Sequence, residues 1–175
     1  TGNGFKTDTI QHVEASPGDS LGENSRIVTM ADGGYIFVYQ PEKSGVKTIE
    51  AIRYDENNQQ VGDSVVLLDG QQSYNWSSKA MVTLADGSLV LLYHDESGGS
   101  FDYKLQRFSS DLEPIGAAKT LSNIPEPRDV QIGNKTYTRY SEENIVANDD
   151  GSFNVIWEMP STDSNNPNGV RIVGQ

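Results

Sequence analysis

The chain has no cysteine in its 175 residues, which excludes disulfides, thiolate chemistry and zinc–thiolate centres. Bacterial extracellular proteins often use no disulfides, so this absence leaves secretion open. Cations are scarce: 13 Lys plus Arg stand against 25 Asp plus Glu, a formal charge of -12. That deficit argues against nucleic acid and anionic membranes as partners, because both need a positive footprint. It suits a chain that binds cations or works in salt; the alternative is an acid-rich surface that serves solubility. No apolar run approaches the roughly 18 residues of a membrane span, so membrane insertion is not expected. The two histidines, His12 and His94, lie in no nucleophile motif of the G-x-S-x-G kind, and H-E-x-x-H does not occur. A non-catalytic protein is therefore expected. Paired carboxylates for glycoside hydrolysis stay open as an alternative, because acids are plentiful. The chain begins Thr1-Gly2-Asn3-Gly4 without an initiator Met, and is read as a segment of a longer polypeptide.

What the chain does have is repetition. Val28-Thr29-Met30-Ala31-Asp32-Gly33-Gly34-Tyr35-Ile36-Phe37-Val38-Tyr39 recurs as Val82-Thr83-Leu84-Ala85-Asp86-Gly87-Ser88-Leu89-Val90-Leu91-Leu92-Tyr93 and as Val146-Ala147-Asn148-Asp149-Asp150-Gly151-Ser152-Phe153-Asn154-Val155-Ile156-Trp157. An arginine follows each Asp-Gly aspartate after 21 residues: Arg53, Arg107 and Arg171. Self-similarity of this kind defines the architecture before any single residue does.

Each repeat is expected to contain four strands. Strand A precedes the Asp-Gly turn (Ser25 to Met30, Lys79 to Leu84, Glu143 to Asn148), and strand B follows it with large residues at alternate positions. That period of two buries one face. Asp-Gly supplies the positive φ of a tight hairpin. Strand C carries the arginine, and strand D opens with an apolar-Gly pair, Val61-Gly62 or Ile115-Gly116. The third repeat stops at Gln175 without a strand D. Gly4 to Ile10 resembles Gly62 to Leu68, so residues 4–13 are expected to complete the last repeat and protect its edge. The predicted fold is all-β, one domain of propeller-blade-like antiparallel four-stranded repeats (residues 25–68, 79–121 and 143–175) closed by the N-terminal strand. A two-sheet β-sandwich or a three-sheet closed assembly is the alternative.

Alternating strand direction puts the short A–B and C–D turns at one end, where the copies agree. The D–A and B–C connections at the other end differ in every copy, and function belongs on such variable loops. The second B–C loop offers Asp95 and Glu96, followed by Asp102; the third offers Asp163-Ser164-Asn165-Asn166-Pro167-Asn168-Gly169. Oxygen ligands at alternate positions before a glycine suit a calcium loop, so Asp95, Glu96, Asp102, Asp163, Asn165 and Asn168 are the candidate calcium ligands. The third loop departs from an EF-hand in having no closing Glu; the alternative is an Asn/Pro/Gly surface loop with self-capping side chains. The D–A loops hold Tyr74-Asn75-Trp76 and, in residues 122–142, Arg128, Tyr137, Arg139 and Tyr140. Aromatics off a core period suit a ligand platform, and an arginine can clamp a carboxylate through two parallel bonds. Trp76 and Tyr137 could instead cap the core. The turns Asp55-Glu56-Asn57-Asn58 and Asp149-Asp150 are secondary calcium candidates, with a solvated turn as the alternative. The three arginines are assigned a structural part, paired with Asp32, Asp86 and Asp150. The Asp-Gly hairpins resemble the Asp-box of sialidases, but the spacing of the following aromatic does not match.

Ala31-Asp32-Gly33-Gly34-Tyr35-Ile36-Phe37-Val38-Tyr39, followed by Ala51-Ile52-Arg53-Tyr54-Asp55 and Val61-Gly62, resembles repeats of large secreted bacterial proteins of the RTX class, among them giant calcium-dependent adhesins of Gram-negative bacteria. The resemblance covers most of the chain, though the glycine-rich nonapeptide of the class does not occur. It implies an extracellular, cell-surface, calcium-dependent module that captures the C-terminus of a host or neighbouring-cell peptide, with a bound calcium contacting the ligand carboxylate. The rival expectations are a calcium-dependent carbohydrate-binding module, a glycan-active enzyme and a structural spacer.

Overall fold

The computed structural model describes residues 25–43, 46–69, 74–75, 81–95, 102–121, 128–132, 135–139, 143–160 and 170–174. These residues are all strand and turn, with no helix among them, and hence no helix long and apolar enough to cross a membrane. Repeat 1 supplies β1 (Ser25–Thr29), β2 (Tyr35–Tyr39), a small hairpin of β3 (Glu42–Lys43) and β4 (Val46–Lys47), then β5 (Ile49–Tyr54) and β6 (Gln60–Leu68). After β7 (Tyr74–Asn75), repeat 2 supplies β8 (Met81–Thr83), β9 (Leu89–Asp95), β10 (Asp102–Phe108) and β11 (Pro114–Thr120). A hairpin, β12 (Arg128–Ile132) and β13 (Lys135–Arg139), precedes β14 (Glu143–Ala147), β15 (Phe153–Pro160) and β16 (Val170–Gly174) of repeat 3.

The sheets are antiparallel and follow the repeats. Their orders are β1-β2-β5-β6, then β8-β9-β10-β11 with β7 sharing the β8 side of β9, then β14-β15-β16. The expected strands A to D are all present except the fourth of repeat 3. Its proposed supplier, residues 4–13, lies outside the described residues, and the sheets form no closed propeller ring among the described ones. They are layered side by side, a sandwich-like packing in which first strand meets first strand: β8 touches both β1 and β14, and Thr83 Oγ1 donates to the Thr29 carbonyl at 2.7 Å.

The A–B turns differ in detail from a two-residue hairpin. The Met30 carbonyl accepts from Gly33 N–H, and Met30 N–H donates to the Gly34 carbonyl, leaving a three-residue loop. Only its last residue is left-handed: Gly33, Gly87 and Gly151 have φ of 86°, 81° and 84°. The C–D turns repeat this design with Asn58 (φ 61°) and Leu112 (φ 68°) in the glycine position. The apolar-Gly pairs Val61-Gly62 and Ile115-Gly116 mark bulges, where the register of β5 with β6 and of β10 with β11 shifts at equivalent places.

Register assigns the faces. In repeat 1, Ile27, Phe37 and Ile52 align across β1, β2 and β5 on one face; Val28, Ile36 and Arg53 align on the other. The Val28 face is buried, through Val28, Ile36, Val38 and Ala51. In repeat 3 the buried set is the opposite one, Ile145, Val155 and Trp157. Repeat 2, in the middle, is buried on both faces: Met81, Leu89, Leu91 and Phe108 on one, Leu84, Val90 and Leu92 on the other. These side chains form one apolar cluster shared by the three sheets.

Candidate functional site

The two ends of the strands have different chemistry. At the turn end every Asp-Gly aspartate is engaged by its own turn. Asp32 Oδ1 accepts from Gly34 N–H at 3.0 Å. Asp86 Oδ1 accepts from the N–H and hydroxyl of Ser88 at 3.0 and 2.6 Å, and Asp150 Oδ1 from those of Ser152 at 2.9 and 2.6 Å. The second carboxylate oxygen meets the matched arginine: Arg53 Nη2 lies 2.7 Å from Asp32 Oδ2, and Arg107 Nη2 lies 2.5 Å from Asp86 Oδ2. Stabilising the charged form in this way holds all three carboxyls below the usual aspartate range. The backbone N–H of Gly34 is the main cause for Asp32, and the Ser88 and Ser152 hydroxyls for Asp86 and Asp150. The side chain of Arg171 lies outside the described residues.

Arg53 also crosses to the next repeat, reaching Asp111 Oδ1 at 3.2 Å and the Ser110 carbonyl at 3.4 Å. Of the secondary calcium candidates, Asp55 Oδ1 is taken by the N–H groups of Asn57 and Gln59 at 2.9 and 2.8 Å. These acids therefore hold turns and sheets together. Between the three A–B turns lies a shallow depression of about 350 Å³, lined by Thr29, Met30 and Ala31 and their counterparts Thr83, Leu84, Ala85, Ala147, Asn148 and Asp149.

The opposite end carries the variable connections. Here β9 runs on through His94 and Asp95, residues the sequence assigned to a loop. Strand β10 starts at Asp102, directly opposite Asp95, while Tyr74 of β7 pairs with Asp95 from the other side. Tyr74, Asp95 and Asp102 thus share one register row, with Asn75 one step in beside His94. Asp95 is buried and ion-paired with the Lys104 ammonium. Beneath it the His94 ring meets Tyr103 edge-on, at a centroid distance of 4.3 Å.

Repeat 1 has a related buried charge. Glu50 takes the Tyr39 hydroxyl at 2.9 Å and the Thr48 hydroxyl at 3.1 Å. Burial, then the Glu50 carboxylate, pushes the Tyr39 phenol up to about 12. Lys104 and Glu50 were missed from sequence. Their signal is positional: both sit at the same place in strand C.

Arg128, Tyr137 and Arg139 are on strands rather than in a loop. Residues 128–132 and 135–139 alternate apolar and polar around Gly133-Asn134 and pair as a hairpin, with Arg128 opposite Arg139 and Val130 opposite Tyr137. This hairpin makes no extensive contact with the three sheets among the described residues, so it is not brought to the Tyr74–Asp95–Asp102 row. Glu96, Trp76, Tyr140, Asp163, Asn165 and Asn168 lie outside the described residues, as do the side chains of Tyr74, Asn75, Arg128, Tyr137 and Arg139. Among the described residues no three His, Asp or Glu side chains form a metal-holding group. No protein-family model matches the chain, and no curated protein matches it significantly.

Proposed function

We propose that this chain is a non-catalytic, calcium-dependent binding module of an extracellular bacterial adhesin, with its ligand end at the D–A and B–C connections. The observation that supports this reading is the register row of Tyr74, Asp95 and Asp102, in which two acids proposed as calcium ligands and an aromatic proposed for ligand contact fall on adjacent strands. The turn end, by contrast, spends its carboxylates on its own backbone and arginines. In this reading the sheets act as blades that hold the row, and residues 4–13 complete the third blade. Calcium held by Asp102 with Asp95, Glu96 and the Asp163–Asn168 oxygens orders this end and takes an anionic ligand group, most simply a peptide C-terminal carboxylate. Tyr74 and Trp76 supply apolar contact, while Arg128, Tyr137 and Arg139, on a hairpin apart from this row, are left out of the ligand set.

The test is a calorimetric calcium titration of chelator-stripped protein, with melting curves at both end points. Saturable binding and a raised melting temperature are expected, because a ligand of the native state stabilises it by mass action. Both should weaken in Asp102→Asn. Screening C-terminal peptides against a glycan array, in calcium, then separates the peptide reading from the carbohydrate one. Absence of calcium binding refutes the mechanism and returns Asp163–Asn168 to an ordinary loop.

A further inference from the structure

The three Asp-Gly turns are a matched set. In each the glycine is left-handed, and its N–H donates to the carbonyl at the end of strand A: Gly33 to Met30 at 3.2 Å, Gly87 to Leu84 at 2.9 Å and Gly151 to Asn148 at 3.1 Å. Repeats 2 and 3 agree further. Asp86 Oδ1 accepts from the N–H and hydroxyl of Ser88, and Asp150 Oδ1 accepts from those of Ser152, at nearly equal distances. Both aspartates are exposed.

The second carboxylate oxygen separates them. Arg107 takes Asp86 Oδ2 through Nη2 and holds Ser88 Oγ through Nε at 2.9 Å. Arg53 takes Asp32 Oδ2 in the same way. Asp150 Oδ2 has no hydrogen-bond or ion-pair partner among the described residues. The cause is register. Arg53 and Arg107 stand opposite Ile36 and Val90, close to their turns. Arg171 keeps the sequence spacing but stands opposite Met159, further from the turn along β15 than Asn154, the counterpart of Ile36 and Val90.

An Asp-Gly peptide is open to attack by its own backbone, because glycine has no Cβ to hinder the approach. The glycine nitrogen bonds to the aspartate Cγ, and the carboxyl OH leaves as water with the amide proton. The resulting succinimide takes up water at either carbonyl. Breaking the Cγ–N bond restores aspartate. Breaking the bond from the backbone carbonyl to nitrogen leaves the chain running through the β-carboxyl, as isoaspartate. The reacting carboxyl is the neutral form, so a guanidinium that stabilises the anion and anchors its oxygen opposes the reaction.

We infer that Asp150-Gly151 is a site of spontaneous isoaspartate formation, open to it because the arginine that guards the equivalent peptides of repeats 1 and 2 is out of register in repeat 3. The product carries an extra backbone methylene in the turn and moves the carboxyl away from Ser152. The fourth Asp-Gly of the chain, Asp69-Gly70, runs outside the described residues and is not one of these turns.

The test is to age the folded protein at physiological temperature and pH. Peptide mapping with electron-transfer fragmentation then distinguishes the two isomers, which have equal mass. Isoaspartate should accumulate severalfold faster at Asp150 than at Asp86. Arg107→Met should raise the Asp86 rate to that of Asp150, whereas Arg107→Lys, which keeps a cation there, should hold it near the wild-type rate. In urea the rates at Asp86 and Asp150 should converge. Equal rates in the folded wild type overturn the inference, as does an Asp86 rate unmoved by Arg107→Met. A rise as large in Arg107→Lys as in Arg107→Met overturns it too, since a loosened turn would then be the cause. So does a difference that persists in urea, which would trace it to the flanking Ala85 and Asp149.

Discussion

Leu112 gives a test of how the sheets are joined. It holds the left-handed position of the repeat 2 C–D turn, where the A–B turns have glycine and repeat 1 has Asn58. An L-residue with a Cβ costs roughly 1–2 kcal/mol in that conformation. Leu112 is nevertheless only 4% exposed and belongs to the apolar cluster common to the three sheets, beside the Ser110 and Asp111 contacts of Arg53. Deleting a buried leucine side chain costs about 2–5 kcal/mol once the cavity is included. Leu112→Gly should therefore lose more in packing than it recovers in backbone freedom, with a net destabilisation of roughly 1–3 kcal/mol. Urea unfolding reads this as a fall in the midpoint on the order of 1 M at an unchanged slope. Asn58→Gly, at the same turn position but outside the apolar cluster, should stay within about 0.5 kcal/mol of wild type. A Leu112→Gly chain as stable as wild type would refute the claim that this turn is clamped into the junction.

Other consequences follow from the same geometry. Gly34→Ala would place a Cβ 2.5 Å from the Tyr54 carbonyl oxygen, so it should cost about 1–3 kcal/mol by chemical denaturation, the usual range for overpacking. The depressed carboxyls of Asp32, Asp86 and Asp150 contribute stability that is complete above the unfolded aspartate value of about 3.9 and lost as pH falls through their lower folded values. The acid limb of the melting temperature should accordingly flatten in a triple Asp→Asn variant. Tyr39 works in the other direction: its contribution is complete below the ordinary phenol value of 10.0 and lost as pH rises toward about 12, a window that phenolate absorbance should show and Tyr39→Phe should remove. Under the proposed function, the Lys104 ammonium competes with calcium for Asp95. Lys104→Met should raise calcium affinity in the calorimeter while lowering calcium-free stability by roughly 1–3 kcal/mol, the worth of a charged hydrogen bond. Calcium affinity unchanged in Lys104→Met would remove Asp95 from the ligand set.

Much of the fold was legible because its determinants are local. Alternation of Tyr35, Phe37 and Tyr39, or of Leu89, Leu91 and Tyr93, requires a pleated strand with two unlike faces. Asp-Gly, with an arginine 21 residues on, correctly anticipated the Asp32–Arg53 and Asp86–Arg107 pairs. The third copy departs from this in spite of the same spacing: Arg171 stands opposite Met159, not opposite Asn154, the counterpart of Ile36 and Val90. The turn type was less legible: the aspartate is right-handed and only the glycine left-handed, because the loop has three residues and the aspartate side chain caps it. Residues 122–142 read as a loop in sequence, since the weak Val130/Ile132 alternation lies off the repeat and has no copy to compare. At the candidate site, the acids were visible as residue types, but not that β9 extends to bury Asp95 against Lys104. That pairing joins residues on neighbouring strands, and no local pattern encodes it.

The sequence by itself determined the strands, their turns, the three-copy frame and the segregation of invariant turns from variable connections, because each follows from short-range sterics and hydrogen bonding repeated along the chain. Tertiary structure alone decided which face of each sheet is covered. Ile27, Met81 and Ile145 occupy one repeat position, yet Ile27 is 62% exposed while Met81 is 0% and Ile145 2%. An apolar residue on a strand records only that a face is fit to be buried. Whether it is buried depends on which neighbour stacks against it, and that is a property of the order of the sheets rather than of any one of them.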